Sequence, residues 1–156
     1  MKEHISRSPQ ATQDLASGLG RRLKAGDVIL LRGDLGAGKT EFVKGLAIAL
    51  GATEPVNSPT FALLNVYQGS MTIFHFDLYR MQHPEELAGI GFDEFIEGKG
   101  LAVVEWPDRF PSEMPDEYIS VEIMAGETIS ERLIRFEPVG VRYLGRFEGS
   151  GLKGAV

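Results

Sequence analysis

The chain has 156 residues, of which 43% are hydrophobic and 24% are charged, and this balance excludes an intrinsically disordered protein. It contains no cysteine, which excludes disulfides, thiolate metal sites, iron–sulfur clusters and cysteine nucleophiles. Because 22 acidic residues outnumber 16 Lys and Arg residues, the net charge of −6 argues against tight binding of nucleic acid by the chain alone.

The first half of the chain alternates between helical and strand patterns. A serine followed by a proline is typical of a helix start. Apolar residues at every third or fourth position indicate helices, and a short apolar run between glycines indicates a buried strand. The predicted elements are a helix from Ser8 to about Lys24, a strand over 27–32, a glycine-rich turn over 33–38 and a helix from Lys39 to about Leu50.

The second half predicts short helices and hairpins. Strand-like runs on either side of glycine-containing turns are typical of hairpins. The segment 84–97, interrupted by Gly89 and Gly91, predicts one or two short helices. The predicted strands are 61–67, 72–76, 101–104, 118–124 and 133–136, of which the first two and the last two form hairpins. This order favours an α/β sandwich with a mixed, mostly parallel sheet extended by antiparallel hairpin strands.

Length and hydropathy predict one domain without membrane contact. A single domain over residues 1–144 is expected, followed by a flexible glycine-rich tail over 145–156. No apolar run approaches the roughly 20 residues that a bilayer span requires. The first residues contain no secretory apolar core, so we expect a cytoplasmic protein.

Residues 33–40, GDLGAGKT, match the phosphate-loop pattern G-x-x-x-x-G-K-[ST] at every position. The glycines let successive backbone N–H groups point at phosphate oxygens. Lys39 would place a positive charge on the β- and γ-phosphates, and the Thr40 hydroxyl would be a Mg²⁺ ligand. Since a buried strand precedes this pattern and an amphipathic helix follows it, we interpret the fold as P-loop NTPase-like.

Two predicted strands end in acidic residues. Asp77 follows the strand 72–76, and Glu105 follows the strand 101–104. A phosphate loop needs a carboxylate opposite it to hold Mg²⁺ or its water ligands, which favours a functional role for both acids. The alternative is that each acid only marks the point where a strand reaches solvent.

Two further features leave alternatives open. The hydroxyls of Ser58 and Thr60 are candidates for a switch-like loop that senses a γ-phosphate, although a polar turn before a strand is the commoner explanation. Trp106 directly follows Glu105, and a lone tryptophan more often lies in a core or on a partner surface than in a catalytic site.

Five stretches in combination are more specific than the phosphate loop, which by itself identifies only a superfamily. They are GDLGAGKT (33–40), SPTF (58–61), HFDLYR (75–80), the PEEL to IGFDEF region (84–95) and VEWPDRF (104–110). In this order and at these separations they resemble the TsaE family of bacterial tRNA threonylcarbamoyladenosine biosynthesis ATPases. The resemblance covers about residues 8–137.

The resemblance implies a protein that binds ATP or ADP with Mg²⁺ and hydrolyses ATP slowly unless it is assembled with TsaD and TsaB. That complex transfers a threonylcarbamoyl group to adenosine 37 of tRNAs that read codons beginning with A. The family ATPase meets tRNA only indirectly, through the complex, and its hydrolysis is thought to reset the transferase between turnovers.

The resemblance also implies roles for individual residues. Lys39 and Asp77 would be catalytic, with Asp77 orienting water or Mg²⁺ near the γ-phosphate, and no arginine finger is assigned. The remaining roles are nucleotide binding (Leu35, Gly36, Ala37, Gly38, Lys39 and Thr40, with Thr12 and Arg132 near the adenine or the phosphates), Mg²⁺ binding (Thr40 and Glu105), a switch-like loop (Ser58 and Thr60), and a site-adjacent or partner-facing position (Trp106).

Two other functions use the same phosphate loop. One is a small-molecule kinase that passes the γ-phosphate to an acceptor, although the segment 84–97 is too acidic to be an arginine-bearing lid. The other is a nucleotide-controlled adaptor, in which ATP binding governs docking and hydrolysis is not essential.

Overall fold

The computed structural model describes residues 1–34, 36–56 and 63–147. The strands are β1 (Lys2–Ser6), β2 (Val28–Arg32), β3 (Leu64–Tyr67), β4 (Ile73–Asp77), β5 (Leu101–Glu105), β6 (Tyr118–Ala125) and β7 (Arg132–Val139). The helices are α1 (Pro9–Gly20), α2 (Lys39–Ala49), α3 (Glu85–Gly89), α4 (Phe92–Ile96) and α5 (Val141–Phe147), with 3₁₀ turns at Pro107–Arg109 and Pro111–Glu113. None of the described helices is long and apolar enough to cross a bilayer.

The strands form one sheet in the order β1-β7-β6-β2-β5-β4-β3. Its central strands β6, β2, β5 and β4 are parallel to one another. β3 extends this core on one side and β7 and β1 extend it on the other, all by antiparallel pairing. The expected mixed sheet, with a parallel core and antiparallel extensions, is therefore confirmed, and so are both predicted hairpins.

Helices cover both faces of the sheet, which makes the fold a three-layer sandwich. Alternate residues of β2 serve opposite faces: Ile29 and Leu31 pack with α1, α2 and α5, whereas Val28 and Leu30 pack with α3 and α4. All four are nearly inaccessible to solvent. A strand buried on both faces needs a continuous apolar run, and this explains why residues 28–31 are all apolar.

Helix α1 begins as predicted but ends earlier. Ser8 caps it, because its hydroxyl accepts a hydrogen bond from the Ala11 N–H at 3.0 Å. The helix stops at Gly20 instead of about Lys24. Leu23 continues the apolar stripe and is buried, but it belongs to a turn in which its N–H bonds to the Gly20 carbonyl. The predicted helix was therefore about one helical turn too long, because the buried Leu23 lies in the connection that follows the helix and continues its apolar stripe.

Helices α1 and α2 approach each other closely at two glycines. A Cβ atom on Gly45 would lie 2.2 Å from the Gln13 carbonyl oxygen, and one on Gly20 would lie 2.7 Å from the Ala49 Cβ. Both distances are too short for any side chain. Because α2 starts at Lys39, this contact sets the direction from which the helix meets the glycine-rich turn.

The two ends of the described chain hold elements that sequence patterns did not predict. Strand β1 pairs with β7, and α5 buries Tyr143 and Phe147 against the sheet. The predicted boundary at residue 144 falls inside α5 and is wrong for residues 145–147, while 148–156 lie outside the described residues. The fully buried Asp27 side chain pairs with Arg142, at 3.2 Å, and with Arg146, which ties α5 to the start of β2.

Candidate functional site

The glycine-rich turn joins the carboxyl end of β2 to the first residue of α2. Gly36 and Gly38 have φ angles of 78° and 108°, a region that residues with a side chain rarely adopt. Gly38 is the N-cap, and it has no side chain that could satisfy the free N–H groups of the first helical turn. This arrangement suits an anion at the positive end of the helix. Leu35, the remaining predicted loop residue, lies outside the described residues.

Lys39 is buried beside the turn, with 6% of its surface exposed. Its ammonium group donates a hydrogen bond to the Gly33 carbonyl at 2.5 Å and lies 3.9 Å from Glu105 Oε1. Burial lowers the pKa of Lys39, and the charges of Glu105, Asp77 and Asp34 act in the opposite direction. The lysine is thus held over the turn as a cation surrounded by carboxylates.

Parallel pairing places Asp77 directly opposite Glu105 at the carboxyl ends of β4 and β5. Glu105 is 4% exposed, so it does not mark a point where the strand reaches solvent. Burial, reinforced by the Glu105 charge, raises the pKa of Asp77, although the Tyr79 N–H donates to Asp77 Oδ1 at 2.9 Å and works against the rise. The two acids lie close together in different surroundings.

A cavity of about 270 Å³ brings most of the predicted site residues together. It contains a lysine, a hydroxyl and carboxylates from two neighbouring strands, and hydroxyl and carboxylate oxygens are the ligands that Mg²⁺ prefers in proteins. The chemistry of this donor set therefore fits a magnesium-bound phosphate. The cavity is lined by Gly36, Gly38, Lys39, Thr40, Glu41, Asp77, Glu105 and Trp106.

A second cavity, of about 330 Å³, also borders the turn and is lined in part by Thr12 and Arg132. Arg132 Nε donates to the Ala37 carbonyl at 2.9 Å, so this arginine supports the turn directly. Thr12 is 2% exposed, and its hydroxyl lies 2.7 Å from that of Ser6. Gly36 and Gly38 line both cavities, so Thr12 and Arg132 are brought next to the same turn.

Trp106 has an unusual backbone at the edge of the first cavity. Its φ of 59° is the sole positive value among the non-glycine residues that the structure describes. Such left-handed conformations cost energy and cluster at functional sites. The ring centroid lies 3.9 Å from the Lys39 ammonium and 4.9 Å from the Tyr79 ring. The tryptophan therefore covers the lysine that follows the turn.

Ser58 and Thr60 of the switch-like loop lie outside the described residues. Arg109, which belongs to the VEWPDRF stretch (104–110), donates to the Met81 carbonyl at 2.9 Å and thereby holds the chain after β4. This contact gives Arg109 a structural role in the described chain.

Sequence reasoning missed the contacts of His75 and Tyr67. Phe74 and Phe76 pack with α3 and α4, so alternation along β4 puts His75 on the opposite face. The histidine instead contacts Glu105 and the hydroxyl of Tyr67. Alternation along the strand was the available signal, but it did not reveal the partners on the neighbouring strands.

Comparisons with known proteins agree on one family. A family model described as threonylcarbamoyl adenosine biosynthesis protein TsaE matches residues 6–134. The tRNA threonylcarbamoyladenosine biosynthesis protein TsaE of Treponema pallidum is 44% identical over 119 residues, which cover 76% of this chain and 88% of the relative. The protein of the same description from Bacillus subtilis is 42% identical over 138 residues, covering 87% and 85%. The crystal structure of Bacillus subtilis YdiB superimposes with a TM-score of 0.81 at 36% identity, covering 94% of this chain and 91% of that one.

Proposed function

The chain belongs to the TsaE family of threonylcarbamoyl adenosine biosynthesis proteins, and we propose that within this process it binds ATP with Mg²⁺ and hydrolyses it slowly. We further propose that assembly with TsaD and TsaB raises the rate, in the cytoplasm. The observation that carries this proposal is the cavity at the start of α2, where Lys39, Thr40, Asp77 and Glu105 converge.

In this proposal the glycine-rich turn and the first turn of α2 bind the phosphates. Residues 36–40 supply backbone N–H groups and the helix end, and Lys39 adds its charge. The neighbouring cavity, lined by Thr12 and Arg132, would take the nucleoside part of ATP. Leu35 in the turn and the switch-like loop with Ser58 and Thr60 stay predictions.

The Thr40 hydroxyl and the Glu105 carboxylate would hold Mg²⁺. When bound, the ion neutralises charge on the β- and γ-phosphates and orients them for in-line displacement. Both residues lie at the first cavity, and Glu105 is buried enough to be kept in one orientation. The proposed Mg²⁺ site is therefore supported by the types of oxygen ligand present and by the burial of Glu105.

Hydrolysis would proceed by attack of water on the γ-phosphorus. The bond from this phosphorus to the β–γ bridging oxygen breaks, and the products are ADP and inorganic phosphate. Asp77 orients the water as its oxygen approaches, while Lys39 and the backbone N–H groups of the turn stabilise the charge that develops on the leaving oxygen. The proton of the water leaves through Asp77 to solvent.

The test is phosphate release from ATP by the purified chain, alone and with TsaD and TsaB. We expect slow turnover that rises with the partners. It should fall by at least about 100-fold in Lys39→Ala, which removes a positive charge at the reacting phosphates, and in Glu105→Ala, which removes a ligand of the Mg²⁺ that neutralises them. Lys99→Ala is the matched control, since this exposed lysine lines neither cavity.

Other outcomes would contradict the proposal. Turnover that does not respond to the partners would contradict activation by TsaD and TsaB, and no turnover in either condition would leave only nucleotide binding. Transfer of the γ-phosphate to a metabolite without release of free phosphate would indicate a kinase. Full tRNA modification by an Asp77→Ala variant would indicate an adaptor in which hydrolysis is not essential.

A further inference from the structure

A line of four buried polar side chains runs behind the proposed Mg²⁺ site. The Tyr67 hydroxyl lies 3.2 Å from His75 Nδ1, and His75 Nε2 lies 2.5 Å from Glu105 Oε2. The other Glu105 oxygen, Oε1, lies 3.9 Å from the Lys39 ammonium. The exposed fractions are 3%, 0%, 4% and 6% in the order Tyr67, His75, Glu105 and Lys39. The line crosses β3, β4 and β5 and ends on α2.

The sheet register explains why these side chains meet. Asp77 pairs with Glu105, so His75, two residues earlier on β4, lies diagonally across from Glu105 on the same face. Tyr67 pairs with Ile73 and is likewise diagonal to His75. His75 lines none of the three cavities that border the glycine-rich turn. Its hydrogen-bond contact with the site is the one to Glu105.

Hydrogen-bond chemistry determines which atom donates and which accepts in each contact of this line. An ionised carboxylate only accepts hydrogen bonds. His75 Nε2 therefore carries the hydrogen and donates a hydrogen bond to Glu105 Oε2. In the neutral ring Nδ1 is then an acceptor, and the Tyr67 hydroxyl donates to it. One Glu105 oxygen is thus fixed from behind, and the other faces Lys39 and the cavity.

We propose that His75, with Tyr67 behind it, is a positioning residue that holds Glu105 so that Oε1 is presented to Mg²⁺. This inference rests on the proposed function. In known metal sites, loss of a partner that orients a ligand lowers metal affinity by about 10–100-fold. His75 would act in the same way from inside the sheet, without touching nucleotide or metal.

The experiment uses fluorescence of Trp106, the one tryptophan of the chain, whose ring lies next to Lys39. ATP affinity is measured in EDTA, and Mg²⁺ is then titrated into the ATP-bound protein. His75→Leu keeps a similar volume but removes the donor. We expect the Mg²⁺ concentration at half-saturation to rise by about 10–100-fold, with ATP affinity in EDTA unchanged.

Two milder variants separate positioning from simple destabilisation. His75→Gln retains an N–H donor and is expected to recover most of the Mg²⁺ affinity. Tyr67→Phe removes only the hydroxyl that fixes the imidazole and is expected to lose part of it. In a Glu105→Gln background, His75→Leu should cause no further loss, because the carboxylate on which it acts is gone.

The outcomes distinguish this inference from the proposed function. Unchanged Mg²⁺ affinity in both Tyr67→Phe and His75→Leu overturns the positioning role, and Tyr67→Phe decides alone if His75→Leu does not fold. Equal losses of ATP affinity with and without Mg²⁺ overturn it as well, since they indicate a structural role only. If Mg²⁺ has no effect on ATP binding by the parent chain, the proposed function fails, and the positioning role fails with it.

Discussion

Asp77 and Glu105 face each other across two parallel strands but have different neighbours. Glu105 is buried and receives a hydrogen bond from His75 inside the sheet. Asp77 is half-buried, and burial together with the Glu105 charge raises its pKa. Different surroundings of two adjacent carboxylates commonly assign them different roles. Here they favour Glu105 as the metal ligand and Asp77 as the group that handles water.

The variant Asp77→Asn is predicted to lose activity without losing stability. Removal of a group that orients and deprotonates water should lower turnover by about 100-fold or more, while ATP binding is kept. At neutral pH the melting temperature should stay equal or rise, because the variant removes a poorly solvated charge beside Glu105. Phosphate release and thermal unfolding are the measurements, with the exposed Asp116→Asn as the control.

The pH dependence of stability follows from the direction of the Asp77 shift. A raised pKa means that the folded state favours the protonated acid, so the parent chain loses stability as pH rises from the ordinary aspartate pKa of about 3.9 to the raised folded value. The asparagine introduced by Asp77→Asn does not titrate. The stability advantage of the variant should therefore grow across this window and vanish below it. An advantage that is constant from acid to neutral pH would contradict this explanation.

At the scale of elements, the contact between α1 and α2 positions the start of α2, where the glycine-rich turn ends. Gly45 lets the helices approach until a Cβ would lie 2.2 Å from the Gln13 carbonyl oxygen. The positions of Lys39 and Thr40 at the start of α2 depend on how this helix packs. Glycines are unfavourable inside helices, and packing is the physical reason for one here.

The variant Gly45→Ala is predicted to destabilise the fold in spite of the better helix propensity of alanine. The added methyl group must push α1 and α2 apart, at a cost of about 1–3 kcal/mol. Gly145→Ala is the matched control, because a Cβ at this position in α5 has no atom of the described chain within 4 Å apart from its own neighbours and the backbone of the helix. It should be neutral or stabilising by up to about 1 kcal/mol. Urea unfolding measures both, and equal effects of the two variants would contradict the packing argument.

At the scale of the molecule, the net charge of −6 bears on whether the chain binds tRNA directly. Binding to nucleic acid depends on the release of counterions by clustered basic residues. Several arginines of the described chain are engaged with carboxylates, including Arg32 with Asp108 and Arg135 with Glu3. The charge therefore favours contact with tRNA through partner proteins.

The isolated chain is predicted to bind tRNA no more tightly than about 10⁻⁶ M at physiological salt, the range of nonspecific binding. Fluorescence anisotropy with labelled tRNA measures this, and the assembly with TsaD and TsaB is the comparison. Tighter, strongly salt-dependent binding by the isolated chain would contradict a role that is only indirect.

Local patterns predicted much of the fold and of the candidate site. The apolar run 27–32, the turn 33–38 and the helix from Lys39 were each visible because their signals lie within a few consecutive residues. The acids at the ends of β4 and β5 were found in the same way. Strand β1 and helix α5 were missed. β1 is polar and depends on pairing with β7, and α5 depends on buried contacts with Asp27 and the sheet.

The sequence by itself determined the α/β class, the family resemblance and the residue types of the proposed nucleotide site, because motif spacing and hydrophobic period are local properties of the chain. Only the tertiary structure decided which strands are neighbours and in what register. That register places Asp77 opposite Glu105 and brings His75 and Tyr67 in line behind it. Contacts of this kind join residues that are distant in the chain, such as His75 and Glu105, which are 30 positions apart, and packing of the whole sheet must form before they exist.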